Sequence, residues 1–248
     1  MRRIAYLHGV PGGPNELALF GGAPFAGCDL YVPDRTGAGS KDMNALAAGI
    51  GAHFAGQAFD LVGFSLGGFV ALEVAARLGA QVARIDLVAV AAPLESESDL
   101  ATMAGAAVFR AARDAPWRLA AMVRGQALLG RIAPDMLHRV LFASARGNDA
   151  SLAAQPHFRS VMRGLLASAL RDGAPGYRRD LAAYVAPWSD CLAQVIAPVT
   201  LWHGTDDNWA PIAMAETLAA QMPKVVAFHR LDGLSHYSTL AHALAQIG

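Results

Sequence analysis

With 248 residues the chain can form one large domain or a domain carrying an insertion, and it can bury most of its apolar surface without a disulfide or metal staple. Twenty basic residues balance twenty acidic ones and 54% of positions are hydrophobic, so charge suggests neither nucleic acid nor an anionic membrane surface as a partner. Cys28 and Cys191 have no metal-ligand or redox spacing and are expected as free thiols, which fits a reducing, cytoplasmic setting; no stretch reaches the ~20 apolar residues needed to span a bilayer.

Met1-Arg2-Arg3 precedes a short apolar run, but the run stops at His8-Gly9 with no small-residue cleavage site after it, so Arg3 to Leu7 reads as a first strand. His8-Gly9-Val10-Pro11-Gly12-Gly13-Pro14 places three glycines and two prolines in the six positions after the histidine. The backbone must turn there and leave N–H groups unpaired by any ladder. Asn15 is placed to cap a short helix over Glu16 to Phe20, and Cys28 to Pro33 reads as a second strand. The loop Asp34-Arg35-Thr36-Gly37-Ala38-Gly39-Ser40 is glycine-rich, yet it lacks the Gly-Lys-Ser/Thr of a P-loop and the third glycine of a dinucleotide fingerprint. Asn44 to Ala58 has a helical pattern.

The most informative stretch is Asp60-Leu61-Val62-Gly63-Phe64-Ser65-Leu66-Gly67-Gly68-Phe69. A strand over Phe59 to Phe64 runs into a serine with glycines two before and two after it, and Val70 to Leu78 then continues as a helix ended by Gly79. A strand that turns this sharply into a helix brings the two backbones together, so flanking side chains would collide and glycine is required. The serine is held out at the tip of a strained turn. An ordinary strand-to-helix turn with a capping serine would show the same five letters, so the assignment needs the rest of the chain.

Val82 to Ala92 is a further β-rich run ending at Pro93, and strands alternating with helices predict parallel βαβ units in a doubly wound sheet. From Leu94 to about Tyr184 the pattern is helical, broken at Pro116, Pro134, Gly147, Pro156 and Gly173-Ala174-Pro175-Gly176, and arginines such as Arg110, Arg113, Arg118, Arg124 and Arg131 outnumber carboxylates. A solvated helix surface is the preferred reading of those charges over a trap for anionic substrates. The sheet pattern resumes with a helix over Trp188 to Ile196, a strand over Pro198 to Gly204, a polar loop over Thr205 to Pro211 and a helix over Ile212 to Met222. Val225 to His229 is the last strand, Gly233-Leu234-Ser235-His236 a loop, and Tyr237 to Ile247 the closing helix.

In an open parallel sheet, sites form beyond the carboxyl ends of the strands. Four loops there supply a nucleophile, a base, an acid and free N–H donors: the His8 turn, the serine turn, Thr205 to Pro211, and Gly233 to His236. With these stretches the chain resembles the α/β-hydrolase superfamily, in the branch with a helical cap and without the first two strands of the usual core. It shares features with proline iminopeptidases in the His8 to Gly13 turn and with carboxylesterases more broadly. The resemblance covers everything except the cap, and the order Ser, Asp, His is the superfamily's.

The resemblance implies an α/β fold: a doubly wound, mostly parallel sheet of the α/β-hydrolase type with an inserted helical cap. The core is expected over residues 1–93 and 185–248 and the cap over 94–184. It further implies Ser65 as nucleophile, His236 as base and Asp207 as acid, with Asp206 the competing acid, and the backbone N–H groups of Val10 and Leu66 as the oxyanion hole. The expected activity is hydrolysis of a carboxylic ester, thioester or lactone of a small, mainly apolar acyl compound. Aminopeptidase, carbon–carbon bond hydrolase, acyltransferase and non-catalytic receptor readings compete with it. No cofactor or metal is expected, and the expected partner is a small-molecule substrate rather than nucleic acid or membrane. His8 and His203 read as turn-orienting groups, and no other histidine has a partner at metal-ligand spacing.

Overall fold

The structure, a computed structural model, describes residues 1–39, 42–94 and 100–248. Ser40, which ends the glycine-rich loop, and positions 95–99, which open the helix-patterned stretch, lie outside the described residues. The β-favouring runs form strands β1 (Arg3–Leu7), β2 (Asp29–Tyr31), β3 (Phe59–Phe64), β4 (Val82–Val88), β5 (Val199–Gly204) and β6 (Val225–Leu231). They pair in parallel throughout, in the order β2-β1-β3-β4-β5-β6. The chain steps outward from β1 to β2 and then crosses back to β3, so strand order reverses between β1 and β3. That reversal opens a crevice at their carboxyl ends, the position where ligands bind in such sheets. The His8 turn and the serine turn flank it.

Helices α1 (Met43–His53), α2 (Leu66–Leu78), α9 (Ile212–Gln221) and α10 (His236–Ile247) accompany the sheet. Ile4 to Leu7 of β1 and Leu61 and Val62 of β3 are fully buried, as continuous apolar runs in the middle of a covered parallel sheet should be. Between β4 and β5 lie α3 (Ala106–Asp114), α4 (Pro116–Ile132), α5 (Pro134–Leu141), α6 (Asp149–Ala154), α7 (Pro156–Ala169) and α8 (Pro175–Val185), with no strand among the described residues. The prolines read as breaks open four of these helices, because proline at the first position gives up only an N–H that has no partner there. Among the described residues no helix is long and apolar enough to cross a membrane.

Several boundaries differ from the sequence reading for local reasons. α1 stops at His53 instead of Ala58, because Ala55 and Gly56 take positive φ and the Gly56 N–H closes back onto the Gly51 carbonyl at 3.2 Å. It starts at Met43 because Asp42 accepts the Ala45 N–H at 2.8 Å. Glu16–Phe20 and Ser189–Gln194 are 3₁₀ turns, the form short helical pieces commonly take, and the Asn15 side chain makes no capping bond. β4 ends at Val88, where Ala89 turns to φ +48°, and β6 runs on to Leu231.

The serine turn brings strand and helix backbones into close approach. Ser65 itself has φ +55° and ψ −127°. A Cβ on Gly67 would lie 2.0 Å from the Leu7 carbonyl oxygen, and one on Gly63 would lie 2.7 Å from the Gly67 carbonyl. Gly67→Ala is therefore expected to cost more than ~2 kcal/mol, since only backbone can move aside. Gly49→Ala, inside α1 with nothing within 4 Å, should gain about 0.5–1 kcal/mol. Urea unfolding midpoints of the two variants check both signs.

Candidate active site

Ser65 sits between β3 and α2 in a conformation rarely adopted by residues other than glycine, held by its N–H donating to Val88 O at 3.0 Å. Leu66 opens α2, so its N–H has no acceptor within the helix, and the positive end of the helix lies beside the serine. Val10 follows the end of β1 by three residues. Val10, Ser65 and Leu66 line the same cavity.

The loop after β5 is stitched to the loop after β6: Thr205 N–H donates to Leu231 O at 3.1 Å and Asp206 N–H to Leu234 O at 3.0 Å. This brings Asp207 and His236 together. Asp207 Oδ2 accepts from His236 Nδ1 at 2.8 Å, and its Oδ1 accepts the N–H groups of Trp209 at 2.8 Å and Ala210 at 3.0 Å. Burial pushes the Asp207 carboxyl up, but the imidazole of His236, its hydrogen bond, His203 and the Ala210 N–H outweigh that and hold it below the usual range. Burial likewise favours neutral His236, yet Asp207, followed by Asp149 and Glu16, outweighs it and raises the ring's pKa. A carboxylate only accepts, so Nδ1 carries the proton and Nε2 of a neutral ring is left as a base. Asp206, the competing acid, is exposed and does not meet the ring.

His203, behind Asp207, has its Nε2 2.7 Å from Ala210 O, and burial lowers its pKa. His8 has its Nδ1 2.8 Å from Gly9 O, and burial with the nearby Arg35 guanidinium pushes its pKa well down. Both tie a turn, as their positions beside strand-ending glycines suggest. Among the described residues no group of three His, Cys, Asp or Glu side chains converges as a metal site.

The sequence reading missed the network beneath the His8 turn. Glu16 is buried with its carboxylate accepting the Tyr6 hydroxyl at 2.6 Å and the Gly9 N–H at 2.9 Å, one residue before Val10. Burial pushes Glu16 up to about 7, against the two hydrogen bonds. Arg35, 2% exposed, donates from Nη2 to His8 O at 2.8 Å and from Nε to Asp180 of α8 at 3.0 Å. Neither residue stands out by pattern: Glu16 lies in an apolar turn and Arg35 in a polar loop.

Ser65 and His236 line one cavity of about 430 Å³, bounded by Phe64 and Trp209 from the core side. The helical insertion closes it with apolar groups such as Leu129, Leu137, Leu166 and Leu170. Apart from His236, no described residue lining it carries a formal charge; Gln126 and Ser144 are the polar side chains from the insertion besides Tyr177. Such a chamber suits a small, uncharged, mainly apolar molecule.

Fold and pocket together define a hydrolase-type α/β protein, and the comparisons agree. Residues 5–247 match the model of the alpha/beta hydrolase family, and the chain belongs to that family. Similar solved structures include a thermophilic esterase from Thermogutta terrifontis (19% identity, 100% of this chain and 88% of that one, TM-score 0.66) and an esterase from Exiguobacterium antarcticum (17%, 99% and 92%, 0.63). A bromoperoxidase from Bacillus anthracis is similar too (15%, 98% and 87%, 0.67). At these identities the likeness shows the fold. No curated protein sequence matches this chain.

Glu16 has a stability signature. Its pKa rises from 4.5 to about 7, so its contribution is fully present below pH 4.5 and is lost as pH rises through 7. The shift corresponds to ~3 kcal/mol. Glu16→Gln should lack this dependence, so its stability relative to wild type should improve by that order between pH 4 and pH 8 in paired urea titrations.

Proposed function

We propose that the protein is a serine hydrolase that cleaves an uncharged, mainly apolar carboxylic ester, thioester or lactone through an acyl-enzyme. The observation carrying this reading is that the strained Ser65 turn and the Asp207-held His236 open into one chamber whose other described walls bear no formal charge. Ser65 Oγ attacks the acyl carbon while His236 Nε2 takes its proton, and buried Asp207 stabilises the imidazolium that forms. The N–H groups of Leu66 and Val10 donate to the developing oxyanion. His236 then protonates the departing alcohol, and water repeats the sequence on the acyl-Ser65 ester to release the acid.

Residues 94–184 act as a cap that excludes water and selects the acyl group, over a core of 1–93 and 185–248. The partner is a small-molecule substrate, and the free thiols of Cys28 and Cys191 suit a cytoplasmic setting. The esterases among the similar structures agree with the chemistry. An aminopeptidase needs a carboxylate to hold the substrate's free ammonium, and the described lining offers none.

Ser65→Ala should lower kcat on a p-nitrophenyl ester by about a million-fold with Tm nearly unchanged. Turnover retained in a contaminant-free preparation would refute the serine's role, and folded wild-type protein that a fluorophosphonate does not label at Ser65 would favour a receptor. Among substrates of equal length, a neutral acyl ester should exceed the half-ester of a dicarboxylic acid by at least about 100-fold in kcat/KM, because the chamber leaves the extra carboxylate unpaired. Equal rates on the two, or faster release from prolyl p-nitroanilide, would overturn the substrate class.

A further inference from the structure

The helix that carries His236 is gripped at its N-terminus by a carboxylate from the helical insertion. Asp149, the first residue of α6, is fully buried. Its Oδ2 accepts the Tyr237 N–H at 2.9 Å, and its Oδ1 accepts the Ser238 N–H at 2.7 Å and the Ser238 hydroxyl at 2.6 Å. Because that hydroxyl hydrogen goes to Asp149, the Ser238 oxygen is free to accept the Ser235 N–H at 2.8 Å. The first turn of α10 has N–H groups without intrahelical acceptors and is favoured by a negative charge. Here both needs are met from a segment nearly ninety residues away in sequence.

The approach of that segment is built into the backbone. Asn148 N–H donates to Gly233 O at 3.1 Å. Gly147 has φ +47°, and a Cβ there would lie 2.4 Å from the same carbonyl. A larger residue at 147 would lift Asp149 off the helix it holds. His236 begins that helix, so its ring direction against Asp207 depends on how the first turn is set.

We infer that Asp149 is a positioning residue for His236, fixing the first turn of α10 and so aiming the imidazole, and that it does so only while the insertion is seated on the core. The inference rests on the proposed role of His236 as base. Around the ring stand Asp207 from the loop after β5, His203 from β5, Glu16 from the turn after β1, Asp149 from α6 and Tyr237 from its own helix. Of the carboxylates, Asp207 acts on the ring most strongly and Asp149 next. Asp149 thus supplies both hydrogen bonds and charge.

The test compares wild type with Asp149→Asn, which keeps the shape, and Asp149→Ser, which keeps a small capping acceptor should the amide variant fail to fold. The His236 ring is titrated by NMR, with its signal assigned by its absence from a His236→Gln protein, and kcat and KM are measured on a p-nitrophenyl ester across pH. Loss of the charge should move the His236 midpoint, and the acid limb of kcat, to lower pH. It should also reduce kcat by about 10- to 100-fold while KM stays nearly constant, as expected for a misaimed base. A wild-type midpoint in the folded variants, whatever their Tm, would overturn the inference and leave Asp149 a purely structural cap. Wild type without ester turnover would defeat the hydrolase reading alone, because the ring titration decides the place of Asp149 without it.

Discussion

The site depends on one buried ion held in place by donors: Asp207. A carboxylate with no exposed side-chain surface would be several kcal/mol out of favour if left alone. Here Oδ1 takes two backbone N–H groups and Oδ2 takes His236 Nδ1, and His203 stands 3.7 Å away. That requirement explains the local path of the chain. The loop after β5 must curl so that Trp209 and Ala210 turn their N–H groups inward, and the loop after β6 must lie against it to deliver the imidazole. His203 fastens the curl by bonding to Ala210 O.

Three carboxylates from three distant segments surround that imidazole, and they are not equivalent. Asp207 touches the ring and, despite its burial, stays below the usual carboxyl range. Asp149 acts through the helix on which the ring is mounted. Glu16 lies under the His8 turn and is pushed up to about 7, so near neutral pH it exists in both protonation states while Tyr6 and Gly9 donate to it. The same carboxylate therefore touches both sides of the site: by a hydrogen bond to the peptide beside Val10 and by charge on His236.

The parts legible in the sequence are those whose chemistry is local. Parallel strands announce themselves as continuous apolar runs, and the serine turn is visible because its geometry forbids any residue but glycine at 63 and 67. The family resemblance put Asp207 ahead of Asp206 as the acid, and Asp207 is the carboxylate that the His236 ring meets. What stayed hidden is pairing across space. Asp149 sits in a run of small residues that gives no hint of an α10 lying against it, and Arg35 and Asp180 belong to segments 145 positions apart. Helix ends were misjudged for a related reason. Ala55 turning left-handed before Gly56 is a choice of backbone that composition around it did not signal.

Among the described residues, buried carboxylates fasten the insertion to the core at two places, and each fastening reaches a different side of the chamber. Asp149 of α6 holds the helix of His236, while Asp180 of α8 holds Arg35, whose other arm binds His8 O in the turn that presents Val10. Gly176 secures the second contact, since a Cβ there would fall 1.9 Å from Arg35 O. Removing Asp180 by substitution would take the carboxylate from the buried Arg35 guanidinium, which costs far more than the pair contributes on its own. Under the chemistry proposed above, one fastening reaches the base through the first turn of α10 and the other reaches an oxyanion donor through the His8 turn.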